Sequence, residues 1–223
     1  MTKHEVIDPT VDWTDAKIVF FSKLAEDKNV LDIGVVQHEI DKVDKSTWLH
    51  RALSIKASRN TGLDIDQEGV NYLNGKGFNV IQADAQDFQL GEIFEVIVAG
   101  DLIEHLDNPG GFLDCVREHL ASGGRFAIST PNPFWWKTYL HVLIKGSSCP
   151  HPEHTCWYCE QTLRQLLERH GFQVERLEYG TVYILSTIYQ KLTKLINKVL
   201  PLPARFRHNT IMLVAKVASQ DAG

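Results

Sequence analysis

The chain has 223 residues, 43% of them hydrophobic and 23% charged, with a formal net charge of −5. That composition can bury a core. It excludes a disordered chain, a disulfide scaffold built on 4 cysteines, and a protein that coats nucleic acid through bulk positive charge.

The first periodic segment, Trp13 to Lys28, spaces Ile18, Phe21 and Leu24 at helical intervals. Five short apolar runs then follow, each ending in a polar turn: Val30–Gly34, Asn60–Asp64, Phe78–Asp84, Glu95–Ala99 and Arg125–Ser129. Helical stretches separate them, at Trp48 to Ser58, Gln67 to Asn74 and Gly110 to Leu120. Strands alternating with helices predict right-handed crossovers and a parallel sheet covered on both faces. Thr130 to Glu160, rich in Trp, Pro, His and Cys, breaks this rhythm and reads as a lid or insertion. A helix over Gln161 to His170, stopped by Gly171, a strand over Phe172 to Tyr179, a helix over Ile184 to Leu200 and a strand over Asn209 to Val217 complete one α/β domain, residues 1–223. No apolar run reaches the roughly 18–20 residues of a membrane helix, and the polar start lacks the apolar stretch of a secretory signal, so a cytoplasmic chain is expected.

Ligands of an open parallel sheet bind beyond the carboxyl ends of its strands, where strand order reverses. The first strand ends in Asp32-Ile-Gly34, where a glycine lets backbone approach a ligand closely. The second ends in Asp64, placed to take the two hydroxyls of a ribose, and the third in Asp84-Ala85, placed to read an adenine edge.

Taken together, the runs Val30–Gly34, Gly62–Asp66, Ala83–Asp87, Phe94–Val98, Glu104-His105, Leu120–Arg125 and Ser129–Asn132 resemble the class I S-adenosylmethionine (SAM)-dependent methyltransferases. The resemblance implies a Rossmann-like, mostly parallel seven-stranded sheet with a lid after the fifth strand, and SAM as cofactor. It also implies SAM contacts at Asp32, Gly34, Asp64, Ile65, Asp84, Ala85 and Asp101. One position departs from the family's Asp-x-Gly-x-Gly loop: Val36 stands where the second glycine is usual. The loop is therefore expected to run differently, with Trp48, His50 or His38 lining the pocket.

Methyl transfer to a hydroxyl needs a base or a Lewis acid beside the electrophile. Read as one helical turn, Asp101-Leu-Ile-Glu104-His105 projects Asp101, Glu104 and His105 together. Two roles are open for the trio. Either His105 is a general base oriented by Glu104, or Asp101, Glu104 and His105, with His154 or His151, hold Mg²⁺ or Mn²⁺. The second resembles the arrangement in small-RNA 2′-O-methyltransferases. Cys149 to Cys159 holds Cys-x-x-Cys and His-x-x-His spacings, but they interleave too tightly for an ordinary zinc site. Trp135, His38, His50, His151 and His154 are expected to face the acceptor.

The segment Ile184 to Arg207 combines Lys191, Lys194, Lys198, Arg205 and Arg207 with an apolar stripe and no acidic residue. Such a helix covers a core, docks a protein partner or lies on an anionic membrane face, here the inner one. The sequence also resembles methyltransferases associated with glycan and cell-surface polysaccharide synthesis, which implies O-methylation of a sugar hydroxyl on a glycan or polysaccharide precursor. The alternatives are an RNA 2′-hydroxyl, which the acidic balance disfavours, a small quinone-like phenol, and a non-catalytic subunit of the same fold.

Overall fold

The computed structural model describes residues 11–12, 14–36, 46–147, 151–182, 195, 199 and 202–219. Strands β1 (Asn29–Ile33), β2 (Arg59–Asp64), β3 (Val80–Gln82), β4 (Phe94–Gly100), β5 (Leu120–Pro131), β6 (Phe172–Gly180) and β7 (Thr210–Val217) form one seven-stranded sheet in the order β3-β2-β1-β4-β5-β7-β6. The first five run parallel to their neighbours, and β7 runs antiparallel between β5 and β6. This is the Rossmann-like sheet of class I methyltransferases, as expected.

The central strands are apolar throughout because helices cover both faces. On one face, Phe20 and Phe21 of α1 (Ala16–Ala25) and Leu53 of α2 (Leu49–Lys56) pack on Val30, Val96 and Val98. On the other, Phe112 and Val116 of α4 (Pro109–His119) and Leu163 and Leu167 of α6 (Glu160–Arg169) pack on Leu31, Ile97 and Phe126. Each large side chain buried in this way contributes about 1.5–3 kcal/mol. At the far edge, Val70 and Leu73 of α3 (Gln67–Gly75) close against Val35, Trp48 and Val80.

Three helix starts fix the rim of the sheet. Asp15 accepts from the backbone N–H groups of Lys17 and Ile18, at 2.9 and 3.2 Å. Asp66 accepts from Glu68 N–H at 3.1 Å, and Asn108 from Gly111 N–H at 3.0 Å with Pro109 beginning the helix. Each cap satisfies an otherwise orphaned donor, worth about 1 kcal/mol, and sets where the chain leaves the rim.

The insertion after β5 carries an element the sequence reading left out, α5 (Trp136–Lys145), stopped by Gly146 in the left-handed region. None of its residues is buried, and Leu143 and Ile144 face outward. Most of the expected basic helix lies outside the described residues. Leu195 and Val199 are helical, and Ala204–Arg207 form a single turn. Among the described residues no helix is long and apolar enough to cross a membrane.

Candidate active site

Strand order reverses between β2 and β4, on either side of β1. A crevice of about 390 Å³ opens there, lined by Gly34, Asp64, Ile65, Asp84, Ala85 and Asp101, with Val36 and His105 beside them. Gly34 has φ +82, and a Cβ there would sit 3.1 Å from Leu102 Cδ1, so a side chain would be strained both in backbone and in space. Asp64 accepts from Val36 N–H at 2.7 Å and Asp66 N–H at 3.0 Å. Burial pushes its pKa up, against the pull of those N–H groups. Six of the seven residues expected to contact the cofactor line this crevice.

Asp32 is the exception. Its carboxylate is buried and faces His50 Nδ1 at 2.9 Å, away from the crevice. His50 is equally buried, with Asn60 Nδ2 3.2 Å from the same ring nitrogen, so it belongs to an internal polar network rather than to the acceptor. Trp48 does not line the pocket either. It is buried and donates its indole N–H to Val35 O at 3.0 Å, which anchors the loop from below. His38 lies outside the described residues.

Val36 is accommodated by a compensating glycine. It keeps a φ outside the left-handed region and turns its side chain onto Gly69 in the first turn of α3. A Cβ on Gly69 would stand 2.4 Å from Val36 Cγ1 and 2.7 Å from Cγ2, closer than van der Waals contact allows. The methyls usually excluded by a loop glycine are taken up by removing a side chain from the facing helix. Nothing local in the sequence around Val36 announces this, because the two positions meet only through β2.

Asp101, Glu104 and His105 do not share one face. Asp101 has φ +53, and Ile103–His105 form a 3-10 turn, so successive side chains diverge. Asp101 accepts from Ser129 Oγ at 2.7 Å and pairs with Lys17 Nζ at 2.6 Å, a cation delivered from α1 that the sequence reading missed. Burial acts against the Asp101 carboxylate, but Lys17 beside it holds its pKa below the ordinary value. Burial also acts against the Lys17 ammonium, and Asp101 holds that pKa up. Glu104 turns inward: it is 1% exposed, one oxygen accepts from Thr130 Oγ1 at 3.0 Å and the other has no partner. Burial, and then Asp101, push its pKa up to about 8, so it is mainly neutral at pH 7. It neither orients His105 nor joins a cation site, and the expected Asp101–Glu104–His105–His154 set is not assembled.

A second cavity, of about 470 Å³, adjoins the crevice and shares Asp101 with it. Trp135, Trp157, Pro131, His151 and His154 line it, and its wall is mostly apolar. The segment carrying the two histidines is tied to the 3-10 turn. The N–H of Thr155 donates to Glu104 O at 2.8 Å, and its Oγ1 to Leu106 O at 3.0 Å. These tethers bring His154 edge-on to His105, ring centroids 4.6 Å apart. His154 Nδ1 is buried with no partner, and burial, then His105 and His151, push its pKa down. The indole N–H of Trp135 is likewise buried and unpartnered. Of the cysteines in this segment, Cys156 is exposed and Cys159 begins α6 with Thr162, while Cys149 lies outside the described residues.

Residues 11–177 match the family model Methyltransf_23, described as a methyltransferase domain. A curated relative, the mitochondrial ubiquinone biosynthesis O-methyltransferase of Dictyostelium discoideum, is 24% identical over 127 residues, 53% of this chain. The match spans only 38% of that relative's length. A SAM-dependent methyltransferase from Archaeoglobus fulgidus superposes with a TM-score of 0.60 at 20% identity, covering 90% of this chain and 91% of that one. Magnesium protoporphyrin IX methyltransferase from Synechocystis PCC 6803, solved with bound SAH, does so with a TM-score of 0.56 at 15% identity, covering 92% and 80%. With the family model covering most of the chain and this sheet order beneath it, the protein belongs to the class I SAM-dependent methyltransferases.

Proposed function

We propose that the protein transfers the methyl group of SAM to a hydroxyl of an apolar ring acceptor, such as a phenol, held in the cavity beside Trp135 and Trp157. The observation that carries this reading is the pair of touching imidazoles between the two cavities: His105 lines the crevice and His154 lines the acceptor side, 4.6 Å apart. The crevice residues fit an adenosyl group. Asp64 takes the ribose hydroxyls, Asp84 and Ala85 meet the adenine, and the bare backbone at Gly34 leaves room for the methionine end.

SAM supplies the electrophile, a methyl carbon on a sulfonium, so the protein has only to align the hydroxyl and take its proton. The acceptor O–H bond breaks and an O–CH₃ bond forms while the carbon–sulfur bond breaks, the sulfur keeping the pair. His154 suits the proton: its lowered pKa keeps the ring neutral at pH 7, and its buried Nδ1 has no other partner. Trp135 supplies an N–H for a second oxygen on the acceptor. The apolar wall favours a ring with few hydroxyls over a sugar, and the named O-methyltransferase relative leans the same way. A glycan acceptor gains no support from the comparisons.

Methyl-labelled SAM offered with a panel of phenols, catechols and sugars tests the reading. Base-stable ether product from the phenolic members is expected, with His154→Ala slower by about 10²–10⁴-fold. Label transferred only to nitrogen, or only to sugars, would overturn it.

A further inference from the structure

One ring nitrogen each of His105, His151 and His154 lie within 4.8 Å of one another. The carboxylate of Glu153 reaches the same place, its Oε2 standing 4.0 Å from Nδ1 of both His105 and His151. Three imidazoles and a carboxylate, drawn from the 3-10 turn and from one short loop, thus converge at the border of the crevice and the acceptor cavity. The loop, His151-Pro-Glu-His154, is closed by His154 N–H donating to His151 O at 3.0 Å, which sets both of its histidines on one side.

We propose that His105, His151, His154 and Glu153 bind a divalent ion of the zinc class; the proposal rests on the methyltransferase reading above and names the group that acidifies the acceptor hydroxyl there. The donor chemistry selects the ion. Imidazole nitrogens suit zinc, cobalt and nickel, whereas Mg²⁺ wants oxygen donors in octahedral array. The oxygen donors once expected for a hard cation are committed elsewhere, Asp101 to Lys17 and Glu104 to Thr130. A tetrahedral zinc site places ligand atoms about 3.3 Å apart, so the rings need to close by about 1.5 Å. His151 is exposed and Glu153 more so, which leaves both side chains room to make that adjustment. The buried, unpartnered Nδ1 of His154 gains a partner in the process. With an ion bound, His154 serves as a ligand instead of the base. A hydroxyl entering from the cavity displaces the exposed Glu153 carboxylate, the ion lowers that hydroxyl's pKa, and the freed carboxylate carries the proton to solvent.

The test is calorimetric titration of Zn²⁺ and of Co²⁺ into the chelator-treated full chain, with the Co²⁺ visible spectrum as a second readout and SAH binding followed in parallel. One ion per chain is expected, with the intense visible bands of tetrahedral Co²⁺. His151→Ala and Glu153→Ala, both at exposed positions, should weaken binding at least about tenfold while SAH binding is unchanged. The double variant Cys156→Ser, Cys159→Ser should bind as the parent does. Binding that follows the cysteines overturns the site, and so does a protein that binds SAH and no ion. Neither result touches the methyltransferase reading, which the labelled-SAM panel decides on its own. Stoichiometric binding without transfer to any hydroxyl would leave the ion site standing and remove that reading instead.

Discussion

Asp64 is the carboxylate proposed above to take the ribose hydroxyls. Two backbone N–H groups fix its direction, from Val36 on one side and Asp66 on the other. Asp64→Ala should weaken SAH binding by about 1–3 kcal/mol by calorimetry, the range for a lost charge-assisted hydrogen bond; unchanged affinity would mean that the ribose sits elsewhere. The pH dependence has a definite sign. Because burial raises its folded pKa, Asp64 stabilises the fold only while protonated, and that contribution is lost as pH rises through the raised value. Ribose binding needs the ionised form, so SAH affinity should fall on acidification sooner than an ordinary aspartate would impose, and Asp64→Asn should flatten the profile. At the same scale, Lys17→Met strands a partly buried carboxylate at Asp101. Breaking a fully buried pair costs about 3–5 kcal/mol, and residual exposure of Asp101 reduces the expected loss to about 1–3 kcal/mol in chemical denaturation. Lys17→Met with Asp101→Asn should recover part of it. Asp101 was legible in the sequence because it follows a strand. Lys17 was not, because 84 residues separate it from its partner and only the packing of α1 on the sheet joins them.

Among the elements, the loop after β1 and the first turn of α3 are fitted to each other. Alanine is normally preferred to glycine within a helix by about 1 kcal/mol. At Gly69 the clash with Val36 should outweigh that gain, since overpacking costs about 1–3 kcal/mol. Gly69→Ala is therefore expected to lower stability and SAH affinity, and Val36→Gly to rescue it in the double variant. A Gly69→Ala protein as stable as the parent would show that the loop has another way to move. The run from Asp101 to His105 teaches the opposite lesson. Its spacing fits a helical turn, but a left-handed Asp101 followed by a 3-10 turn sends Glu104 inward and leaves His105 at the crevice. Periodicity registers which residues are apolar; it does not register a backbone turned by Ser129 and Lys17. The approach of His154 and His151 to His105 was expected from the sequence; what periodicity does not register is the tether that makes it, Thr155 anchoring the loop to Glu104 and Leu106.

Across the whole molecule, every expected strand is present, and the central strands alternate with helices as expected. That much was readable because buried parallel strands have an apolar signature of their own. Of the residues expected to face the acceptor, Trp135, His151 and His154 line the second cavity, but its outline was not readable, as its wall combines the end of β5, the start of α5, the His151–Trp157 loop and the start of β7. Asp101 lines both this cavity and the crevice, so the two adjoin. The central claim is that the ends of β1, β2 and β3 grip an adenosyl group although Val36 replaces a glycine. A crystal structure grown with saturating SAH tests it most directly. The account predicts ribose hydroxyls on Asp64, adenine beside Asp84 and Ala85, and the sulfur directed toward His105 and the Trp135 cavity. A crevice closed by Val36, or a nucleoside bound in any other place, would contradict it.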